Sequence, residues 1–333
     1  MLRQWTHFEN RGIPAEPPTR NKKGLYVKIG QVMSSRADFV PRQYVDLFCS
    51  LQDAVPPRPG EHVRRAIASS LRDRNDGLEF DDVFESFDDD AIGSASIGQV
   101  HRAVLREELA DVGGYNGGRD VAVKVMHPDA QSRFANDFKV FRWLCRIALP
   151  GWEPILTELE GQMMTEFDYA NEAASLRIVG ENMSRSPYAG RVKVPEPAEA
   201  LCSRNVLVME MLEGRKLADA IVERLAAVLG GDAGLAREVL KAKERDLFLG
   251  SDGKAEKVGR GDFYREVRGI VGGDIGVLRQ LTVAVKLMLM TRKMTSTLDL
   301  LLDVHGHQIF HDGCFNGDPH PGECCPIFIN CVE

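Results

Sequence analysis

The sequence predicts an α+β fold, because strand-like segments in its first half are followed by a second half with apolar residues at helical spacing. Two segments, Ala95 to Leu105 and Asp120 to Met126, alternate and are rich in β-branched residues, and the GGYNGG between them supplies turn residues. A long helical pattern from Glu153 to Asn182 precedes two further strand-like segments, Arg191 to Val194 and Asn205 to Met211. A sheet with an inserted helix is therefore expected before the helical half.

The organisation along the chain follows changes in composition and period. Residues 1–24 are polar and rich in Pro and Gly, which predicts a weakly ordered lead-in. Residues 25–80 predict a helical extension, and residues 81–213 predict the sheet lobe. Residues 214–322 are helical in pattern, with an apolar helix predicted from Val277 to Leu302.

Composition and charge narrow the class of protein. The 333 residues are 44% hydrophobic and 27% charged with a net charge of −7, which is typical of a globular chain. Lys and Arg are scattered, so no nucleic-acid partner is predicted. The apolar run from Leu281 to Met290 contains Lys286 and is shorter than the ~20 residues of a membrane span. No membrane span and no targeting segment are predicted.

The seven cysteines show no CxxC spacing. Free thiols in a reducing compartment are the favoured interpretation, and no metal ligand is assigned. A metal site near the C-terminal cysteines is the less favoured alternative, because four histidines lie close by in sequence: His305, His307, His311 and His320.

A lysine and a later carboxylate form the strongest chemical pattern. Lys124 lies centrally in VAVKVMHP, where a buried ammonium needs a carboxylate or a phosphate as partner. The segment EFDYANEA, taken as helical, places Asp168 and Glu172 on one face and Glu166 on another. The alternatives are a strand lysine that faces water and a solvated acidic helix face.

Two further segments predict loops that could bind a phosphate or accept a proton. In GSASIGQVH the small residues Gly93, Ser94, Ala95 and Ser96 would let backbone amides approach a phosphate, although a plain small-residue turn is the alternative. In FNGDPHPGE, Asp318 could accept the proton of an attacking hydroxyl, and simple turn chemistry is the alternative.

Together these segments resemble the UbiB/ADCK family of atypical, protein kinase-like kinases, whose best-known members support ubiquinone or other prenylquinone metabolism in bacteria, mitochondria and plastids. The segment that begins KIGQVMSSRADFVPRQ is similar to the family's KxGQ segment, and SASIGQVHRA to its alanine-rich loop. VAVKVMHP, EFDYANEA, VLVMEMLEG and FNGDPHPG match later motifs in the same order. The resemblance runs from about Leu25 to Gly322.

The resemblance implies a two-lobed protein kinase-like fold: a mixed, antiparallel-sheet N-lobe, a helical and incomplete C-lobe, and an N-terminal helical KxGQ extension. It implies that ATP or ADP binds, with Mg²⁺ expected for the family. Lys124 and Glu172 would form the nucleotide-binding ion pair, and the loop from Gly93 to Ser96 would cover the phosphates. The remaining roles are an adenine hinge at Met209 and Met211, a catalytic Asp318, and a regulatory KxGQ/ExD set of Lys28, Gly30, Gln31, Glu166 and Asp168, in which Lys28 meets Glu166.

The chain departs from the family pattern near its C-terminal end. Glu323 stands where members have Asn, and no later DFG-like metal-binding Asp is present, so the metal site is expected to be incomplete and catalysis impaired. Residues 323–333 do not resemble the family, and a gene model that reads into an intron or a shifted frame is our hypothesis for them.

Three functional hypotheses remain open. The leading one is an ATP-binding atypical kinase or ATPase linked to prenylquinone or lipid metabolism, with a prenylquinone precursor or lipid as the expected partner. A noncatalytic, ATP-dependent scaffold or pseudokinase is the alternative. The KxGQ segment tells against a third, an aminoglycoside-type phosphotransferase. The oligomeric state is not predicted, and in a eukaryote the resemblance would place the protein in the mitochondrion or plastid.

Overall fold

The computed structural model describes residues 56–73, 77–148, 151, 153–214, 217–240, 277–314 and 328–329. The chain forms two compact units. Unit 1 contains the residues up to Glu181 together with Val194–Leu212, and unit 2 contains Asn182–Lys193 and the residues from Glu213 onward.

The described part of the chain has five strands before its second, helical half. They are β1 (Phe84–Ser94), β2 (Gly98–Leu105), β3 (Asp120–Met126), β4 (Val192–Lys193) and β5 (Val206–Glu210). Unit 1 is built on a four-stranded antiparallel sheet in the order β1-β2-β3-β5. β3 therefore lies inside the sheet, with Lys124 opposite Val100 of β2 and Leu207 of β5.

β1 is an irregular edge strand. Its register against β2 shifts at three places, between Phe84 and Ser86, between Phe87 and Ala91, and between Ala91 and Gly93. The acidic run 88–90 within it is exposed to solvent. Such shifts bend a strand and increase its local twist.

One helix covers the first face of the sheet. Helix α1 (Gly60–Asp73) carries apolar residues at a spacing of four, and its Val63, Ile67 and Leu71 are buried. They belong to one core with Val121, Val123 and Val125, which share a face of β3. A short helix α2 (Phe80–Val83) then leads directly into β1.

Three helices belong to the second core of unit 1: α3 (Ala130–Ala148), α4 (Glu153–Thr165) and α5 (Tyr169–Arg185), the last of which continues into unit 2. The aromatic rings of Phe134, Phe138, Phe167 and Tyr169 are almost fully buried. They share this core with residues of the sheet, including Leu207. Burial of such large rings is among the strongest stabilising contributions available to a small lobe.

Unit 2 is mainly helical. It contains α6 (Leu217–Val228), a helical segment at 233–240, and α7 (Val277–His307), which continues into a π-helical turn, Gln308–Asp312. Its core combines Leu225 and Ala226 with Ala236 and Val239, and Met290 packs against them. In addition, β4 pairs with β6 (Phe328–Ile329). Within the described ranges, no helix is both long and apolar enough to cross a membrane.

This architecture confirms the predicted α+β class, and β3 has the predicted bounds. Other predictions were wrong in detail. The strand expected from Ala95 begins at Gly98, and the preceding strand β1 was missed because its acidic run lacks strand-like alternation. The strand expected at Arg191 to Val194 is only β4, which pairs with β6 and lies outside the four-stranded sheet.

The long helix expected from Glu153 to Asn182 is two helices. α4 ends at Thr165 and α5 begins at Tyr169. Asp168 separates them, because its Oδ1 accepts hydrogen bonds from the backbone N–H of Ala170 at 3.1 Å and of Asn171 at 3.3 Å. An aspartate that binds these two amides is an N-cap, which starts a helix.

Candidate functional site

Lys124 and Glu172 form an ion pair on the second face of the sheet. The Lys124 ammonium donates to both carboxylate oxygens of Glu172, at 2.8 and 2.9 Å. The two side chains are 30% and 38% exposed, so the pair is partly shielded from water. The structure thus brings together the two residues that the sequence paired, and it excludes a Lys124 that merely faces water.

Two residues that sequence analysis did not select, Tyr169 and Gly98, pack close together beside this pair. The ring of Tyr169, which is 1% exposed, lies 4.7 Å from the Lys124 ammonium, a distance typical of a cation–π contact. A Cβ added to Gly98 would lie 2.5 Å from the Tyr169 hydroxyl and 2.6 Å from the carbonyl oxygen of Val125. Glycine is therefore needed here for the close approach of β2 to the tyrosine.

The predicted small-residue loop joins β1 to β2. Gly93 and Ser94 end β1, and the turn is closed by a 2.8 Å hydrogen bond from the Ala95 N–H to the Gly98 carbonyl. Ser96 is buried. Gly93 is exposed, and a Cβ there would have no atom within 4 Å, so glycine is not sterically required at that position.

Met209 and Met211, the predicted hinge, lie at the end of β5. Met209 pairs with Ala122, and the Met211 N–H donates to the Asp120 carbonyl at 3.0 Å, just after the strand ends. Tyr115 lies nearby and was missed by sequence analysis, since a lone tyrosine in a glycine-rich segment gives no signal. Burial raises the pKa of Tyr115, and the charges of Glu210 and Glu196 raise it further.

The two acids of the predicted ExD motif have different positions from those expected. Glu166 lies in the turn between α4 and α5, and Asp168 is the N-cap of α5. The prediction that Asp168 and Glu172 share a helix face was wrong, because Asp168 precedes the helix. Glu166 lines a small pocket whose other lining residues are Ser96, Ile97, Ala130, Phe134, Met163 and Phe167.

Several predicted site residues lie outside the described residues: Lys28, Gly30, Gln31 and Asp318. Their roles stay predictions, as does the contact of Lys28 with Glu166. Within the described ranges there is no group of three or more His, Cys, Asp or Glu side chains that could hold a metal ion. Cys145, Cys202 and Cys314 are free thiols.

The class of fold follows from these features. An antiparallel sheet with a lysine on an inner strand, a glutamate from a following helix that holds it, and a small-residue loop between the first two strands is the arrangement of a protein kinase-like N-lobe. A profile of the ABC1 atypical kinase-like domain matches residues 50–247. The chain therefore belongs to the ABC1 family of atypical kinases, as the resemblance to UbiB/ADCK proteins predicted.

Several known proteins are similar to the chain at moderate identity. An uncharacterized Synechocystis protein, sll0095, is 34% identical over 206 residues, which is 58% of this chain and 33% of that protein. Protein ACTIVITY OF BC1 COMPLEX KINASE 1, chloroplastic, from Arabidopsis thaliana is 32% identical over 203 residues, 58% of this chain and 27% of that protein. Probable protein kinase UbiB of Pasteurella multocida is 30% identical over 198 residues, 57% and 36%.

The matched region is about a quarter to a third of the length of these relatives. Among solved structures, the complex of Rv3197 with erythromycin from Mycobacterium tuberculosis is similar with a TM-score of 0.39 and 27% sequence identity. That match covers 62% of this chain and 51% of the other.

Proposed function

We propose that unit 1 binds ATP or ADP, with the phosphates between Lys124 and the loop that joins β1 to β2. The observation that carries this proposal is the Lys124–Glu172 ion pair, 2.8 Å long and about one third exposed, on the strand next to that loop. A lysine held in this way presents a fixed positive charge to a phosphate and loses little side-chain entropy when it binds.

The other residues of the lobe fit a nucleotide. Small side chains at Gly93, Ser94 and Ala95 let backbone amides approach phosphate oxygens. The backbone just after β5, at the half-buried Met211, would supply groups for the base, as the family resemblance implies. Mg²⁺ is expected with the nucleotide, but the described residues contain no group of three or more His, Cys, Asp or Glu that could hold it, and we assign no residue to the metal.

The test is nucleotide binding by the full chain and by Lys124→Ala, measured by calorimetry with ATP and Mg²⁺. We expect the variant to bind at least tenfold more weakly, since about 1.4 kcal/mol corresponds to a factor of ten and a charge-assisted hydrogen bond contributes about that much. The matched control is Lys139→Ala, which removes an exposed lysine of α3 in the same unit. Equal affinities of wild type and Lys124→Ala would refute the role of the lysine.

On this basis we propose that the protein is an atypical kinase or ATPase of the UbiB/ADCK type that acts in prenylquinone or other lipid metabolism, with a prenylquinone precursor or lipid as partner. The support is family membership, together with one relative named as a kinase and one named as a probable protein kinase. The proposed compartment in a eukaryotic host is the plastid or mitochondrion, and one similar protein is described as chloroplastic. Imaging of a tagged full-length protein would test the compartment.

A second candidate is a noncatalytic, nucleotide-dependent scaffold. It is favoured by Glu323, which stands five residues after Asp318 where the family pattern has Asn. ATP turnover with Mg²⁺ separates the candidates. Turnover that is lost in Asp318→Asn would exclude the scaffold, whereas nucleotide binding without turnover would exclude the ATPase.

A further inference from the structure

Arg58, two residues before α1, is bound through its backbone to β2. Its N–H donates to Gln99 Oε1 at 2.7 Å, and Gln99 Nε2 donates back to the Arg58 carbonyl at 3.1 Å. The Gln99 side chain, which is 1% exposed, thus pairs with Arg58 as another peptide group would. A fully buried glutamine that is bonded on both sides holds its partner segment in one position.

A histidine fixes the orientation of this glutamine. His101 is fully buried, its Nδ1 lies 2.8 Å from the Asp88 carbonyl, and its Nε2 lies 2.8 Å from Gln99 Nε2. A carbonyl oxygen can only accept, so Nδ1 carries the proton and Nε2 accepts from Gln99. The amide oxygen of Gln99 therefore faces the Arg58 N–H, which is the orientation the pairing needs.

The guanidinium of Arg58 makes a second connection, to the carboxylate of Asp129. Asp129 lies two residues after His127, which holds the loop between β1 and β2 at two points. The His127 N–H donates to the Ile97 carbonyl at 2.8 Å, and its Nε2 lies 3.3 Å from the Ala95 carbonyl. Gln99 itself lies two residues after the same loop ends at Ile97.

Arg58 thus contacts both chain segments that hold this loop. Its backbone binds Gln99 of β2 just after the loop, and its side chain binds Asp129, two residues after the His127 that bonds to the loop. We propose that Arg58 is a positioning residue that keeps the Ala95–Ile97 loop in the conformation that receives nucleotide phosphates, with Gln99 and His101 as its anchor. This inference rests on the proposed nucleotide binding.

The experiment uses the full chain and removes each connection separately. Arg58→Met removes the contact with Asp129 and keeps the backbone pairing, and Gln99→Met removes the pairing and keeps the carboxylate contact. Arg102→Met is the matched control, since Arg102 lies on β2, the strand that contains Gln99, and forms an ion pair with the exposed Asp120. Arg58→Lys keeps the charge and should restore part of the wild-type behaviour.

Amide hydrogen exchange of residues 95–99 without nucleotide is the first measurement. We expect exchange about fivefold to tenfold faster in Arg58→Met and Gln99→Met, the change that loss of one or two hydrogen bonds produces, and no change in the control. Exchange that stays at the wild-type rate in Arg58→Met would overturn the inference, and this holds even if Gln99→Met fails to fold.

Nucleotide affinity is the second measurement, with ATP and with adenosine as probes. Adenosine has no phosphates, so a loop that positions phosphates contributes to the affinity for ATP and not to the affinity for adenosine. ATP should therefore bind about fivefold to tenfold more weakly to the variants, while the affinity for adenosine should not change. Equal losses for both probes, or faster loop exchange with unchanged ATP affinity, would overturn the positioning role. A wild type that binds no nucleotide would refute the proposed function instead, and the exchange data would still decide whether Arg58 holds the loop.

Discussion

Gly98→Ala is the sharpest test of how β2 is packed against Tyr169 and the backbone of β3. The new Cβ would lie 2.5 Å from the Tyr169 hydroxyl and 2.6 Å from the Val125 carbonyl, whereas ordinary contacts are about 3.5–4.0 Å. Either partner would have to move by roughly 1 Å, and the Val125 carbonyl belongs to the backbone of a central strand. We expect the free energy of unfolding to fall by about 1–3 kcal/mol, the usual cost of overpacking a core.

The assay is urea denaturation followed by far-UV circular dichroism, together with thermal unfolding. A loss of this size lowers the melting temperature by about 2–4 °C per kcal/mol in a domain of this size class. The control is Gly93→Ala near the end of β1, where the added methyl group meets nothing within 4 Å, so stability should be unchanged or slightly higher.

The partner of the clash can be identified with Tyr169→Phe. This substitution removes the hydroxyl and should recover part of the stability of Gly98→Ala, but not all of it, because the contact with the Val125 carbonyl remains. The reasoning would be refuted if Gly98→Ala were as stable as Gly93→Ala, or if Tyr169→Phe gave no recovery.

Three further predictions concern single residues. A double-mutant cycle with Lys124→Met and Glu172→Gln should give a coupling free energy of about 1 kcal/mol in urea denaturation without nucleotide, because the pair is partly exposed, and a coupling of zero would contradict the ion pair. Burial, with two glutamate charges, raises the pKa of Tyr115, so its stabilising contribution is complete below its ordinary pKa of 10.0 and is lost as the pH rises further. Wild type should therefore lose more stability than Tyr115→Phe between pH 8 and 11, and parallel losses in urea denaturation would argue against this. Asp168→Ala should lower the free energy of unfolding, measured by thermal denaturation, by about 1 kcal/mol. Asp168→Asn should not lower it, because asparagine can still cap the helix, and equal losses in both variants would exclude the cap.

The sequence predicted the elements whose pattern reflects burial. Lys124 could be found because a lysine among Val121, Val123 and Val125 is unusual on a strand with an apolar face. The helix break at Asp168 was missed because the apolar spacing continues through it, and a single side chain that caps two amides overrides that spacing. Aspartate is common on helix surfaces, so its presence alone does not indicate a cap.

The packing around the pair could not be predicted for a different reason. The need for glycine at position 98 and not at 93 depends on where the Tyr169 ring lies, and that is a contact between residues far apart in sequence. Gln99 and His101 give no signal either, since on an alternating strand they look like solvent-facing polar residues. Only their burial and their hydrogen bonds to Arg58 and Asp88 reveal that they organise the lobe.

The irregular β1 has a consequence for how the folded chain behaves towards its own copies. An edge strand exposes backbone N–H and C=O groups that another chain can use to extend the sheet. In β1 the three register shifts interrupt that row of groups, and the exposed acidic run 88–90 adds negative charge that a second identical edge would repel. The same residues that hide β1 in the sequence pattern therefore disfavour the pairing of β1 with the β1 strand of a second copy.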